Sequence, residues 1–243
     1  MSDIDRHRAQ KLMREVGLDA LALFQPEAFR YAVGAPAGVA TMWGRAGSAI
    51  ALVPSDAASP MAAVVSDHAA PVVAKVAPNV ELRTHRIWID MVYMAGIDDV
   101  SRVDDAYRQN NSGGPRPETF DRATCFHLLK DLLEERGLAT GRIGADLEFM
   151  PAADFEALKH AVPDVTWVDG SKTLRRLRVI KTPKEIERLR RAALAAEAGL
   201  VEMAAAVRPG VSLGALSTAW KAGAQGYAAR SGFSLSGHWD YIS

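Results

Sequence analysis

Residues able to carry metal or proton chemistry are few and scattered in this sequence. Six histidines, His7, His68, His85, His127, His160 and His238, are spread along the 243 residues, and only His68 has a carboxylate, Asp67, at its side. A zinc-type centre needs three or four donors converging from one face, so this spacing predicts no metal bound by the chain. The acidic pairs Asp98-Asp99 and Asp104-Asp105 lack the turn glycine and closing glutamate of a calcium loop and read as a solvated loop. Cys125 sits on an apolar helical stripe without a base evident in the sequence, which favours a buried structural thiol over a nucleophile. Arg45, in Trp43-Gly44-Arg45-Ala46-Gly47 just before a strand, is a candidate for a ligand contact. Its planar guanidinium can hold both oxygens of a substrate carboxylate, a role set against that of an exposed loop arginine. The basic run from Arg175 through Arg178, Lys181, Lys184 and Arg188 to Arg191 has no interleaved aromatics and is broken by Glu185 and Glu187. It reads as a solvated linker helix, not a nucleic-acid surface. The glycines between Gly34 and Gly47 form no phosphate-loop pattern.

The elements that must position these residues alternate between the two periods. Ile4 to Val16 reads as a helix stopped by Gly17, and Ala20 to Phe24 as a buried strand. Gly47 to Val53 and Met61 to Val65 predict two more strands in a meander, followed by a short helix over Asp67 to Ala74 and a strand over Val80 to His85. Ile87 to Pro117 has no clean period and is read as a loop or insert. Glu118 to Arg136 returns to helical spacing, then Arg142 to Ala145, Pro151 to His160 and Val165 to Val168 read as strand, helix and strand. This order predicts an α/β fold, a mixed sheet with helices on its faces. Thr182 and Glu185 have capping-box spacing around Pro183, opening a helix to Val207. Ile186, Leu189, Ala193, Ala196, Leu200, Met203 and Val207 form one apolar stripe along it, which needs a partner surface. Ser212 is the expected N-cap of a second helix reaching about Ala229.

Composition narrows the classes. Lys plus Arg equals Asp plus Glu at 29 each, so no global field draws the chain to nucleic acid or an anionic membrane. From Thr173 onward there are 11 basic and 5 acidic residues, against 18 and 24 before it, which suggests domains of 1–172 and 173–243. One cysteine allows no internal disulfide, the first eight residues are polar, and no apolar run is long enough to span a bilayer. A cytoplasmic location without membrane association is expected.

Three segments then resemble one family. Arg178-Val179-Ile180-Lys181-Thr182-Pro183-Lys184-Glu185-Ile186-Glu187 resembles the opening of the catalytic domain of the pita-bread metallohydrolases, the creatinase, prolidase and Xaa-Pro aminopeptidase family. Ala205-Ala206-Val207-Arg208-Pro209-Gly210-Val211-Ser212 is similar to the helix exit that follows, and Phe29-Arg30-Tyr31-Ala32-Val33-Gly34 to an aromatic-glycine motif of the creatinase-type amino-terminal domain. The resemblance implies a ribonuclease-H-like amino-terminal domain followed by the first helices of an α+β pita-bread domain. It implies, for a full-length relative, two divalent metals (Mn, Co or Zn) held by Asp, Asp, His, Glu and Glu, with a bridged water attacking a small peptide or amide. Those ligand motifs are absent here, so the chain is expected to be an amino-terminal part, inactive alone. The resemblance further implies a homodimer in which Arg45 reaches a partner's active site, and a substrate-lining role for His238 in Ser236-Gly237-His238-Trp239-Asp240. The alternatives are a non-catalytic dimerisation or partner-binding protein, and a creatinase-like or ectoine-hydrolase-like member of the same family.

Overall fold

The computed structural model describes residues 2–111 and 114–235. The chain divides into two compact units, Met1–Ile180 and Lys181–Ser243.

The first unit is built on six strands: β1 (Ala20–Leu23), β2 (Ile50–Pro54), β3 (Ala62–Ser66), β4 (Glu81–His85), β5 (Arg142–Ala145) and β6 (Thr166–Asp169). They form one mixed sheet in the order β4-β3-β2-β1-β5-β6. The expected meander is present, since β1 pairs antiparallel with β2 and β2 with β3, while the pairs β3/β4, β1/β5 and β5/β6 are parallel. Strands β1, β2 and β3 are buried along their whole length. Short runs of Ala, Leu, Val and Ile suit that position because both faces must be covered.

Alternation divides the core in two. Leu21, Leu23, Ala51, Val53, Ala63 and Val65 face one side, packed with residues of α1 (Arg6–Glu15), α2 (Pro26–Val33), α3 (Ala70–Val76) and α7 (Ser171–Val179). Ala20, Ala22, Ile50, Leu52, Ala62 and Val64 face the other, against α5 (Arg122–Glu135) and α6 (Ala152–Ala161). Cys125 is fully buried on α5, and burial pushes its thiol pKa up. At the carboxyl ends of the two central parallel strands, the buried Asp146 side chain accepts from Phe24 N at 2.9 Å and Gln25 N at 2.8 Å. This staples β5 to the start of α2, whose N-cap Gln25 supplies no side-chain bond of its own.

Several expectations are corrected. The stretch from Ile87 to Pro117, read as a loop or insert, contains a short helix, α4 (Val103–Asn110), whose residues are mostly charged or polar. The helix expected from Glu118 starts at Arg122, because Asp121 caps it by accepting from Ala123 N at 2.9 Å. The helix α2 over the aromatic-glycine segment is additional, and the basic run read as a solvated linker helix is divided between α7, which ends at Val179, and α8, which starts at Pro183. The charge shift at residue 172 falls at the start of α7, which packs Leu174 and Leu177 into the first core. Arg8 Nη2 donates to Arg176 O at 2.7 Å, and Arg176 pairs with Glu15 at 2.8 Å, fixing α7 to α1.

In the second unit the capping box is formed, with Glu185 N donating to Thr182 Oγ1 at 3.2 Å and Thr182 N to Glu185 Oε2 at 2.8 Å. It opens α8 (Pro183–Ala205), which packs against α9 (Leu213–Arg230) as a helical hairpin. The contact runs through small residues, Ala195 and Gly199 of α8 and Gly223, Ala224 and Ala228 of α9. A Cβ on Gly223 would stand 2.6 Å from Ala198 O, so the backbones approach to a distance only glycine permits.

Because Leu174 is 4% exposed and Leu177 1%, α7 is part of the first core. A chain ending at Ile180 is expected to unfold in one cooperative step, and one ending at Gly170 to be less stable by about 3 to 6 kcal/mol, the burial free energy of two leucines. Urea melts of the two truncations check this; equal midpoints would show that α7 is dispensable.

Candidate functional site

Arg45 lies in the loop leading into β2, and the structure gives its guanidinium an internal partner. Arg45 Nε donates to both oxygens of Asp154 at 3.1 and 3.0 Å, and Nη2 to Oδ1 at 2.6 Å. Ala46 N adds a fourth bond to Oδ2 at 3.0 Å, and Arg122, in the first turn of α5, pairs with Oδ1 from the other side. Asp154 sits in the first turn of α6 and its side chain is 0% exposed, whereas that of Arg45 is 50% exposed. Burial alone would raise the Asp154 pKa. Hydrogen bonds from Arg45, Ala46 and Arg122 outweigh it and bring the carboxyl down to about 2. The same pairing raises the pKa of Arg45. One carboxylate therefore joins the 45–46 loop, α5 and α6.

Gly47 makes the loop possible. Its φ is +120°, and a Cβ there would stand 3.1 Å from Phe126 Cε1 in the core. In the same loop, Trp43 stacks on Phe120 at 5.0 Å between ring centroids and meets Trp88 edge-on at 5.2 Å. His85, buried at the end of β4, lies 6.4 Å from Phe120, with Nε2 2.8 Å from Ser48 O and Nδ1 3.2 Å from Arg86 O. Arg116 ties down the segment carrying Trp88: it reaches Asp67 Oδ2 at 2.8 Å, Asp90 Oδ1 at 3.1 Å and Ile87 O at 2.9 Å. The result is an aromatic wall of Trp43, Trp88 and Phe120 carried on the loop that holds Arg45 and the segments facing it. Trp43, Trp88, Phe120 and Arg116 were not singled out from sequence, because their contacts join segments far apart in the chain.

A second concavity of about 400 Å³ opens at the carboxyl ends of β1, β5 and β6, lined by Gln25, Asp146, Glu148, Ser171, Arg175 and Arg178 among others. Ligands of open α/β sheets favour this edge. Here several of its polar groups hold one another: Asp146 holds the backbone of Phe24 and Gln25, Arg175 pairs with Glu148, and Ser171 Oγ accepts from Glu148 N at 3.2 Å. Burial, opposed by those backbone bonds, pushes the Asp146 carboxyl up to about 6.

Among the described residues no three His, Cys, Asp or Glu side chains converge as a metal site would require. His238 lies outside the described residues. Among those described, no helix is long and apolar enough to cross a membrane.

Comparison with known proteins places this geometry. A family model described as Creatinase/Prolidase N-terminal domain matches residues 6–180. The fold is similar to that of the Xaa-Pro dipeptidase from Bacillus anthracis, with TM-score 0.61 and 17% identity, covering 93% of this chain and 48% of that one. It is similar as well to dipeptidase PepE from Mycobacterium ulcerans, with TM-score 0.58 and 18% identity, covering 92% and 48%. In sequence, 92 residues are 29% identical to the Bacillus subtilis (strain 168) protein YkvY, covering 38% of this chain and 25% of that protein. The chain thus spans half or less of the length of these three relatives.

Removing Asp154 would leave Arg45 and Arg122 facing each other and Ala46 N without its acceptor. Asp154→Ala is expected to cost about 3 kcal/mol, the low end for a broken buried pair because both arginines reach solvent. Since the folded pKa is depressed from the ordinary 3.8 to about 2, this stabilisation is complete above about pH 4 and lost as pH falls toward 2. Thermal midpoints of the parent and Asp154→Asn should therefore converge on acidification through that window, and a constant gap would contradict the assignment.

Proposed function

Because the chain belongs to the creatinase/prolidase family through its amino-terminal domain, we propose that it supplies the non-catalytic half of a metal-dependent hydrolase acting on small peptides of the Xaa-Pro dipeptide class. The observation that carries this reading is the family match over residues 6–180 in a chain whose described residues bring no metal-ligand set together. The two divalent ions that the resemblance implies do not fit those residues, so no step of the chemistry is assigned to them. The names of the structural neighbours, an Xaa-Pro dipeptidase and a dipeptidase, support the substrate class.

On this reading the chain's own contribution is shape and charge. Trp43, Trp88 and Phe120 offer a rigid apolar wall, and Arg45, half exposed on the same loop as Trp43, offers positive charge for a substrate carboxylate. Asp154 holds that arginine in one orientation, which lowers the entropy lost when a ligand binds. The full-length protein is proposed to be a cytoplasmic homodimer in which this wall faces a neighbouring active site, with His238 lining the substrate pocket.

Calorimetric titration of the 243-residue chain with Mn, Co and Zn should show no stoichiometric binding tighter than about micromolar, and Xaa-Pro dipeptides should not be hydrolysed in their presence. Metal-dependent turnover by this chain alone would overturn the assignment of the chemistry to residues outside it.

A further inference from the structure

Between β4, which ends at His85, and α5, which starts at Arg122, the chain leaves the sheet and returns to the place it left. Ile87 and Phe120 face each other in an antiparallel bridge, and Trp88 N donates to Thr119 O at 3.3 Å. Excursions of more than about 15 residues are uncommon in compact domains and usually carry function. None of residues 88–109 is buried, so no core of its own holds the segment in place. Helix α4 within it is eight residues long, and a helix that short does not persist in water without tertiary contacts.

The contacts it has converge on Arg116, whose side chain is 8% exposed. Nε and Nη2 each donate at 3.2 Å to Oδ1 of Asn111, the C-cap of α4. The same guanidinium reaches Asp90 near the start of the segment, Ile87 O at its base and Asp67 in the turn after β3. On α4 itself, the Tyr107 hydroxyl donates to the other oxygen of Asp90 at 2.7 Å. Asn111 Nδ2 donates to Met91 O at 3.2 Å. The start of the segment and its helix are thus fastened to the sheet at one point. We infer that residues 88–111 form a strap that opens and closes as one unit, with Arg116 as its latch.

The strap is joined to the loop that carries Arg45. Trp88, its first residue, meets Trp43 edge-on, and Trp43 is two positions from Arg45. Outside the strap, Phe120 stacks on Trp43 and His85 Nε2 lies 2.8 Å from Ser48 O, so the base stays attached to that loop when the strap opens. Latched, the strap holds Trp88 in the aromatic wall; open, it removes Trp88 alone. Resting on the role proposed above for the wall and Arg45, the apparent affinity for a ligand there scales with the closed fraction. The latch itself does not depend on that role.

Hydrogen exchange of the 243-residue chain, resolved by residue, tests this. The amides of Trp88 and Asn111 lie at opposite ends of the strap and both make backbone bonds. In the parent they should show one common protection, well below that of β1 to β3. Unequal protection overturns the single unit, and protection equal to the sheet's overturns independent opening. Arg116→Met should speed exchange at both amides by roughly tenfold to a hundredfold and leave the sheet unchanged. Arg116→Lys, which keeps the charge but not the planar fork, should fall between. Unchanged exchange in Arg116→Met overturns the latch. Tyr107→Phe removes one bond at an exposed position and decides the case even where Arg116→Met unfolds the sheet: both amides should speed up by the same few-fold, and acceleration confined to Asn111 overturns the unit. The exciton signal of the Trp43–Trp88 pair in circular dichroism, identified by its loss in Trp88→Phe, should vanish on heating Arg116→Met before the sheet melts. A signal that persists until the sheet melts overturns the link to the Arg45 loop.

Discussion

Three adjacent strands that are buried on both faces set the terms for everything else in the first unit. β1, β2 and β3 consist of Ala, Leu, Val and Ile with few exceptions, so neither surface of the sheet can meet water. Helices must therefore cover both sides, and the two hydrophobic clusters are the direct result. The order of the strands then decides which loops come together. β1 lies between β2 and β5, so the carboxyl end of β1 has Asp146 as its neighbour, and the loop entering β2 has α5 and α6 within reach.

Within that frame, buried carboxylates serve as fasteners between segments remote in sequence. Asp146 joins the end of β5 to the start of α2, and Asp154 joins the 45–46 loop to α5 and α6. Their settings differ and so do their pKa directions. Asp146 receives only backbone N–H groups and burial dominates, whereas Asp154 receives two guanidinium groups that outweigh burial. A buried acid that meets cations stays charged at any physiological pH, which suits a permanent structural joint.

The legible parts of the fold were those encoded locally. The apolar runs of β1, β2 and β3 and the Thr182 and Glu185 box of α8 depend on neighbours in sequence, and they lie where the sequence places them within a few residues. Helix α2 escaped because Ala28, Phe29, Tyr31, Ala32 and Val33 are all buried, leaving too narrow a polar face to define a period. The arginines of α7 made it read as part of a solvated linker helix, whereas Leu174 and Leu177, at i, i+3 spacing, pack it into the first core. Arg45 was recognised as a side chain suited to a carboxylate, and it does hold one. That carboxylate belongs to Asp154, 109 residues away, and no local pattern reports a pair of that separation.

The contrast between the units bears on how a family can keep a fold while distributing its chemistry. A carboxylate that acts as a metal ligand or general base needs lone pairs open to the reacting atoms, whereas Asp146 and Asp154 offer theirs to N–H donors within the fold. Opening either for catalysis would detach a helix from the sheet. The first unit is in that sense committed to rigidity, and what it can lend to a reaction is a fixed wall and a fixed cation. The second unit has the opposite character. Its two helices are joined through glycine and alanine contacts that leave Ile186, Leu189 and Leu200 of α8 outward. The first unit is thus a fixed scaffold closed on both sheet faces, and the second a hairpin closed only along its line of small residues.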